Sequence, residues 1–487
     1  MRSVIATEFK SSLAAASVPL THSWEHTVGS GRALLALRAD WREQLMRAHI
    51  ELGFRHVRFH GLLDDDMGTL ICHNEKPLYS HFNADQINDY LLSIGMKPFV
   101  ELSFMPAILA SGNSTVFQYR ANITPPKDHR QWGKLIDRLV CHWIERYGAG
   151  EIGKWCLEVW NEPNLKAFWT GGKKGYYELY RTTVETIKNI DSSLKVGGPS
   201  SAQSAWIPEF LNYCDKHKLP VDFVSTHYYP TDAFGKIGAD TLTQLEHVPR
   251  DVMKEQAKIA NAQARGLPLY YTEWNVSSNP RDPLHDQSFA AAFAANIALS
   301  VDAFVAGYSF WTFSDIFEEN YFPSVPFHGG FGLLNLHGIP KPIYRAFQLL
   351  HGLGDKLYHV EGSHDTVNVW VSRGEDVITV FLTNYAMPRH EISTVSVHVQ
   401  LTAAPRPLSA HVARIDENNV NPERVWQEMG KPEYLTRHDV ETLQVASALN
   451  SEPYPLRILE NHIEFDISMP PQSVAVMKIE CAPGSTV

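Results

Sequence analysis

The stretch VMKEQAKIANAQARGLPLYYT, residues 252–272, contains the repeating unit that decides the fold. Residues 252–265 place apolar side chains at helical spacing, and the apolar and aromatic run 267–272 indicates a buried strand. A helix that leads directly into a buried strand is the building unit of parallel α/β folds. This stretch therefore predicts parallel strands surrounded by helices.

The same unit recurs from about residue 23 to residue 313. A doubly wound sheet is the competing arrangement, but its glycine-rich first turn is missing, since Gly29-Ser30-Gly31 lacks the third glycine at the right offset. Eight strands within about 290 residues therefore predict a (β/α)8 TIM barrel. The predicted strands are 23–28, 56–60, 97–102, 155–160, 195–198, 222–227, 267–272 and 307–311, and the clearest helices are 41–52, 130–147, 175–190 and 252–265.

Beyond the barrel the pattern changes to short strands with few helices between them. Period-two alternation is clearest in residues 473–479, and one helical insertion is expected at 421–429. This texture predicts an accessory β-sandwich domain. We expect the catalytic barrel to span 16–345 and the sandwich 346–487, with the segment 1–15 joining the sandwich.

Charge and composition exclude several classes of protein. The 487 residues carry 43 Lys and Arg against 54 Asp and Glu, a net charge of -11, which argues against nucleic acid as a partner. No run approaches the ~18 apolar residues of a membrane span, and Glu8 and Lys10 interrupt any signal peptide. The five scattered cysteines indicate neither disulfides nor a zinc site, so we expect a cytoplasmic protein. The acidic run 64–66 is interpreted as a solvated loop rather than a metal site.

Two of the predicted strands are followed by a glutamate at their carboxyl end. Glu162 comes two residues after the fourth strand, and Glu273 comes directly after the seventh. Barrel enzymes carry their reactive groups at the carboxyl ends of the strands. Two carboxyl groups that face each other across a pocket are the minimal machinery for cleaving a glycosidic bond, and their separation distinguishes a retaining from an inverting mechanism. Sequence gives no distance, so both mechanisms stay open at this point.

Five segments, in this order along the chain, resemble glycoside hydrolase family 39, the β-xylosidase group. Asn161-Glu162-Pro163 by itself is typical of a large clan of retaining glycosidases, whereas the ordered set is specific to the family. The segments are Arg58-Phe59-His60-Gly61-Leu62, Trp160-Asn161-Glu162-Pro163-Asn164, His227-Tyr228-Tyr229-Pro230, Tyr271-Thr272-Glu273-Trp274 and Trp311-Thr312-Phe313-Ser314-Asp315. Together they span the whole predicted barrel.

The resemblance implies a role for each matching residue. Glu162 would be the general acid/base, and Glu273 the nucleophile that forms a covalent glycosyl-enzyme. Asn161 would bind the sugar 2-hydroxyl. The remaining substrate-binding positions implied are His60, His227, Tyr229, Trp311, Glu318 and Glu319. Taken as residues alone, these side chains have structural interpretations too: buried hydrogen-bonded histidines, core aromatics and solvated acids.

The function implied is that of an exo-acting retaining β-xylosidase, which releases xylose from the non-reducing ends of xylo-oligosaccharides in xylan degradation without cofactor or metal. One alternative is an α-L-iduronidase-like enzyme or another retaining glycosidase of the same clan. A uronate substrate carries a carboxylate and needs a cation in the pocket. The nearby Arg58 is expected one layer below the mouth of the barrel, and Glu318 and Glu319 would repel the uronate carboxylate. A non-catalytic carbohydrate-binding protein is the other alternative, and the intact carboxylate pair argues against it. Sequence does not indicate the oligomeric state.

Overall fold

A closed barrel of eight parallel strands forms the centre of the computed structural model, which describes residues 7–74, 76–235, 238–319, 321–460 and 462–482. The predicted (β/α)8 barrel is confirmed. Its strands are β1 Thr27–Arg32, β2 His56–His60, β3 Lys97–Leu102, β4 Cys156–Val159, β5 Lys195–Ser201, β6 Phe223–Tyr228, β7 Leu269–Trp274 and β8 Gly307–Phe310. The helices around them are α1 Ala39–Leu52, α2 Phe82–Ser93, α3 His129–Tyr147, α4 Gly172–Ile190, α5 Ile207–His217, α6 Val252–Gln263, α7 Ser288–Val301 and α8 Pro342–His351.

The outer helices form where apolar positions line one face between good caps. The side chain of Asp128 accepts the backbone N–H of Arg130 and so caps α3, which ends at Gly148. One face of α3 buries Trp132, whose indole N–H donates to Thr183 of α4 at 2.8 Å. Helix pairs of this kind cover the outside of the barrel and hold the strand ends in register.

The first strand was predicted at 23–28, and this is wrong. Residues Ser23–Glu25 form a short 3-10 helix, and the strand begins only at Thr27. The cause lies elsewhere in the chain: the Asp302 carboxylate accepts the backbone N–H groups of Thr21 and Ser23, each at 2.8 Å, which turns this segment before it can extend. The seventh strand begins and ends two residues later than predicted, at Leu269 and Trp274, and so includes Glu273 itself.

Two antiparallel-rich sheets form the β-sandwich. One sheet has the order Val360–Glu361, Thr7–Ser12, Val395–Thr402, His462–Met469, Arg457–Leu459; the other has the order Ser17–Pro19, Lys356–Tyr358, Val367–Arg373, Val377–Asn384, Ser473–Cys481, Pro407–Ile415, Ser451–Pro453. The N-terminal strand Thr7–Ser12 pairs parallel with Val395–Thr402. A separate apolar core between the sheets includes Phe9, Val380 and Phe465.

The helical insertion contains two helices where one was predicted. Pro422–Glu428 matches the prediction, and Arg437–Ala446 was missed although Thr436 and Asp439 form a capping box at its start. Trp426 and Leu443 of this pair pack on Phe327 and Ile339 in the segment after β8. Two short hairpins, Leu70–His73 with Lys76–Tyr79 and Thr115–Val116 with Ala121–Asn122, complete the sheets. Within the described ranges, no helix combines the length and apolar character needed to cross a membrane.

Candidate active site

The two predicted glutamates meet at the carboxyl end of the barrel. Glu162 is 3% exposed and Glu273 is 5% exposed. One oxygen of each, together with a ring nitrogen of His227, lie within 4.8 Å of one another. This separation is close to the ~5–5.5 Å of retaining glycosidases and well below the ~6.5–9.5 Å of inverting ones. A metal ion could in principle use the same three ligand atoms.

Arg58 lies beneath the pair and belongs to the site. The sequence places it one layer below the mouth, but its guanidinium reaches up, and Nη1 donates to Glu273 at 2.8 Å. Nε donates to Glu158 at 2.6 Å, and Nη2 donates to Asn161 at 2.9 Å and lies 2.7 Å from Glu101. Burial opposes the charge, but Glu158, Glu101 and Glu273 outweigh it and raise the pKa of Arg58 above its usual value. The arginine is therefore a fixed cation, and each of its three side-chain nitrogens contacts a protein acceptor.

Glu273 is held in one position by charged and polar neighbours. Arg58 donates to Oε1, and the Tyr229 hydroxyl donates to Oε2 at 3.0 Å. Burial raises the pKa of Glu273, while Arg58 and His60 oppose this rise. A buried carboxylate with two donors and adjacent cations is ready to act in its ionised form.

Glu162 lies in the opposite electrostatic situation. Burial and then the charge of Glu273 raise the pKa of Glu162 well above its usual value, which keeps it protonated. Its backbone φ of 42° falls in a region that non-glycine residues rarely adopt, and its N–H donates to the Ser200 carbonyl at 2.8 Å. Such strain is typical of functional positions, where surrounding contacts hold a side chain in place.

A chain of hydrogen bonds connects Glu162 to the ion pair below. The Thr272 hydroxyl donates its only proton to Glu158 at 2.8 Å, so its oxygen must accept from His227 Nε2 at 3.0 Å. Burial, with Arg58 and His60 nearby, lowers the pKa of His227 well below its usual value, so the ring is neutral. Its Nδ1 is then an acceptor and receives the proton of Glu162 at 2.9 Å.

His60 and Glu319 form the other wall of the site. His60 Nδ1 donates to Glu101 at 2.7 Å, and Nε2 lies 3.6 Å from both Glu273 and Glu319. Burial opposes protonation of His60, but Glu101 and Glu319 raise its pKa to about 9. Burial raises the pKa of Glu319 to about 8. Oε1 of Glu319 is buried without a hydrogen-bond partner among the described residues, which is the condition of a group that awaits a ligand.

Glu318 lies outside the pocket and Asp64 is buried, whereas Asp65 and Asp66 are exposed, as predicted for a solvated loop. Glu318 is not among the residues that line the pocket; its carboxylate lies 4.0 Å from Nε of Arg32. Asp64 is buried rather than solvated, because its carboxylate packs under the loop after β3 and accepts the Phe104 N–H at 3.3 Å. Burial, and then Asp66, raise the pKa of Asp64 to about 8.

Aromatic side chains enclose the rest of the pocket. Trp311, directly after β8, contacts Phe317 edge to face, and Phe317 in turn contacts Phe331. The lining comes from the ends of β2 and β7 and from the segments that follow β3, β4, β6, β7 and β8, so side chains surround the pocket on several sides. Its residues are His60, Phe117, Glu162, Phe168, Tyr229, Ala233, Phe234, Gly235, Glu273, Ser278, Trp311, Glu319 and Phe331.

Sequence reasoning missed several residues of this site. Glu101, Glu158 and Thr272 are polar side chains within otherwise apolar or aromatic strands, and that was the available signal. Phe117 and Phe168 come from long segments after β3 and β4 and carry no local motif.

Comparisons with known proteins agree with this geometry. A family model described as Glycosyl hydrolases family 39 matches residues 9–458. A β-xylosidase of Caldicellulosiruptor saccharolyticus is 47% identical over 463 residues, covering 94% of this chain and 95% of the relative. A β-xylosidase of Geobacillus stearothermophilus is 38% identical, covering 94% and 92%. The crystal structure of the GH39 enzyme from Xanthomonas axonopodis pv. citri superposes with a TM-score of 0.87 at 31% identity, covering 98% of both chains.

Proposed function

Because the chain belongs to glycosyl hydrolase family 39, we propose that it is an exo-acting, retaining β-xylosidase that releases xylose from the non-reducing ends of xylo-oligosaccharides. The observation that carries this proposal is the close carboxyl pair within an enclosed pocket, one member held protonated and the other held by donors. An enclosed pocket suits the end unit of a chain, whereas cleavage inside a chain requires an open groove.

In the first step Glu273 attacks the anomeric carbon, and the bond to the leaving oxygen breaks. Glu162 transfers its proton to that oxygen, so the leaving group departs as a neutral alcohol. His227 Nδ1 faces the resulting carboxylate only as an acceptor, so no hydrogen bond from the histidine stabilises the charged form of Glu162, and this carboxylate readily takes up a proton again in the next step. The product of this step is a covalent glycosyl-enzyme on Glu273.

In the second step Glu162 acts as the base. It accepts a proton from a water molecule, whose oxygen attacks the anomeric carbon and displaces Glu273. Two inversions at one carbon retain the β configuration of the sugar. Arg58 and Tyr229 stabilise the carboxylate that is released.

The sugar hydroxyls complete the partners that the pocket leaves open. The bare Oε1 of Glu319 accepts a hydroxyl proton, and His60 Nε2 donates beside it. Arg58 engages the amide oxygen of Asn161 and so orients its Nδ2 donors for the 2-hydroxyl. Trp311 provides the apolar surface against which a sugar ring packs.

A uronate substrate, as in the α-L-iduronidase-like alternative, fits these walls less well. Among the described residues, no lysine or arginine lines the pocket, and Arg58 is fully buried beneath it. The cation that does line the pocket, His60, already faces three glutamates, so a substrate carboxylate would be buried without a cation of its own, which is costly. The arrangement therefore favours a neutral sugar.

We assign the catalytic function to residues 16–345, of which the strand Ser17–Pro19 joins the sandwich, and a bracing role to residues 1–15 and 346–487. We also propose a cytoplasmic location, because all five cysteines are free, as expected for a reducing compartment. Small soluble oligosaccharides are the expected substrates, and the net charge of -11 disfavours nucleic acid.

Hydrolysis rates on aryl β-xyloside, β-glucoside, α-arabinoside and α-iduronide test the function. The β-xyloside should be hydrolysed fastest, and by at least about tenfold over the glucoside, because the glucoside carries one more hydroxymethyl group. Proton NMR of the first turnovers should show β-xylose before mutarotation. Faster hydrolysis of the iduronide than of the β-xyloside, or α-xylose as the first product, would refute the proposal. A preparation of Glu273→Gln, purified in the same way, measures the activity that contaminating hydrolases contribute.

A further inference from the structure

A basic pocket lies at the opposite end of the barrel from the catalytic site. It has a volume of about 360 Å³ and opens where the strands begin. Arg55, Lys97, Lys154 and Lys195 line it, together with His26 and His56. The protein as a whole is acidic, with a net charge of -11, so a local concentration of basic groups is unexpected.

The strand register explains why these side chains converge. His56 and Lys97 are paired first residues of β2 and β3, and Cys156 and Lys195 are paired first residues of β4 and β5. Cys156 also pairs with Phe99, two residues after Lys97, so β4 and β5 begin slightly further into the barrel than β3. Because neighbouring strands lie ~4.8 Å apart, these four strand beginnings occupy one short arc of the rim, and the two lysines begin the strands on either side of the buried Cys156.

Nearby carboxylates offset only part of this charge. Arg55 lies 3.8 Å from Glu25, and Lys154 lies 2.8 Å from Glu151. Lys97 and Lys195 have no ion-pair partner within 4.0 Å in the described ranges, although Lys97 contributes with Lys154, against the effect of burial, to a lowered pKa of Glu151. Four cationic side chains against two carboxylates therefore leave the pocket a net surplus of two positive charges.

His26 and His56 contribute ring nitrogens to the lining of the pocket. Their rings stack with centroids 4.4 Å apart, and His56 Nδ1 donates to the His26 carbonyl at 2.7 Å. This bond assigns the ring proton of neutral His56 to Nδ1 and leaves Nε2 available. Burial, with Lys97, Arg55 and Lys195 nearby, lowers the pKa of His56 to about 4.

We propose that this pocket binds a compact oxyanion, phosphate or sulfate, either free or as the monoester of a small sugar. Lysine ammonium groups bind such anions as point charges, and the two that lack carboxylate partners match a dianion. The site lies at the strand beginnings, so occupancy does not compete with an oligosaccharide at the strand ends. It is a binding function independent of glycoside cleavage.

Calorimetric titration with inorganic phosphate at fixed ionic strength tests the proposal. Wild type should bind with saturation in the millimolar range or tighter, and the K97Q/K195Q variant should bind at least about tenfold more weakly, since charge-assisted hydrogen bonds are lost. The matched control K216Q/K258Q removes two exposed lysines outside the pocket and should bind like wild type. All three proteins should hydrolyse aryl β-xyloside equally, which separates this test from the test of the glycosidase function.

A second titration with glucose 6-phosphate distinguishes the two sources of the anion. Tighter binding of the sugar phosphate indicates a monoester ligand, whereas equal or weaker binding indicates the free anion. Proton uptake on binding of sulfate at about pH 5 gives a further readout, because sulfate itself does not titrate in this range. A bound anion should favour a proton on His56, so binding should take up protons. The other charged and titratable groups around this anion are Arg55, Lys97, Lys154, Lys195, Glu25, Glu151, His26, Cys156 and Tyr270.

Two results would overturn the proposal. One is the absence of saturable phosphate binding in the millimolar range. The other is equal binding by wild type and K97Q/K195Q, which would leave only non-specific attraction to a basic surface. Thermal unfolding without phosphate checks that the double variant is folded.

Discussion

Two buried clusters of charge, one formed by the segments after β7 and β8 and the other at the proposed catalytic site, are balanced very differently. In the first, Lys341 Nζ lies 2.7 Å from Asp286 and 2.7 Å from Asp315 and donates to the Gly330 carbonyl at 2.8 Å. The other oxygens of the two aspartates accept the N–H groups of Gly329 and Gly332. This cluster fixes the segment that carries Phe331, and its ammonium group and carboxylates contact protein groups.

The catalytic cluster has too many acids for its cations. Arg58 and His60 face five carboxyl groups, those of Glu101, Glu158, Glu162, Glu273 and Glu319. The imbalance keeps Glu162 protonated and leaves an oxygen of Glu319 bare. Buried charged groups that all have hydrogen-bond or ion-pair partners stabilise a fold. Buried groups that lack a partner, or whose pKa values are shifted apart, are the ones that can exchange protons and bind a ligand. Variants in the two clusters should therefore fail in different ways.

The largest effect is expected from Glu273→Gln. Without the nucleophile no glycosyl-enzyme forms, and kcat/KM should fall by roughly 10⁴-fold or more on every substrate. The melting temperature should not fall, because the pKa of Glu273 is raised in the folded state, so its ionised form destabilises the fold as the pH rises above the unfolded value. A 2-fluoro xyloside should label Glu273 in wild type. Near-normal turnover by the variant, or labelling of another residue, would contradict the assignment.

Glu162→Ala should have a large effect that depends on the leaving group. Xylobiose needs protonation of its leaving oxygen, so its kcat/KM should fall by roughly 10²–10⁴-fold. Dinitrophenyl β-xyloside has a good leaving group and should keep much of its kcat/KM. The second step becomes slow, so the glycosyl-enzyme accumulates and KM falls. Azide should restore turnover and yield β-xylosyl azide. An α-azide, or equal losses on both substrates, would rule out this role.

Sequence predicted the barrel and the glutamate pair because both depend on local patterns: the helix–strand repeat and the strand ends. It could not predict contacts made by long side chains or by distant loops. Sequence predicts that Arg58 starts one side-chain layer below the mouth of the barrel. The long side chain nevertheless extends upwards, so that its guanidinium contacts Glu273. The neighbours Glu318 and Glu319 differ in direction, and only the folded loop after β8 decides which one enters the pocket.

The failures elsewhere have the same origin. The first strand starts late because Asp302, far along the chain, holds Thr21 and Ser23. Asp64 is buried because the loop after β3 covers it. Both of these errors concern a residue whose environment is supplied by another part of the chain. The missed helix Arg437–Ala446 is different, because its capping box is a local signal.

Lys341→Met should reduce stability rather than chemistry. It leaves Asp286 and Asp315 buried without their cation, and breaking a buried pair in this way typically costs about 3–5 kcal/mol. We expect a clear drop in melting temperature, while kcat per folded molecule on dinitrophenyl β-xyloside changes little. The exposed Lys216→Met is the matched control and should melt like wild type. If Lys341→Met instead lost turnover at an unchanged melting temperature, the distinction between the two clusters would fail.

The smallest effect, and the most specific one, is expected from Thr272→Val. In wild type the Thr272 oxygen accepts from His227 Nε2, so Nδ1 accepts the proton of neutral Glu162, which favours the neutral acid. Without that acceptor the ring can carry its proton on Nδ1 and donate it to ionised Glu162, which favours the charged form and lowers the pKa of Glu162.

Because the acidic limb of the kcat/KM profile reports ionisation of Glu273 and the alkaline limb reports loss of the Glu162 proton, Thr272→Val should move the alkaline limb to lower pH. The loss on xylobiose should be about tenfold, the worth of one buried hydrogen bond, and dinitrophenyl β-xyloside should show almost none. Thr272→Ser keeps the hydroxyl and should restore the wild-type profile. An unmoved alkaline limb, with equal losses on both substrates, would mean that Thr272 only fills space beside His227 and does not determine which nitrogen carries the proton.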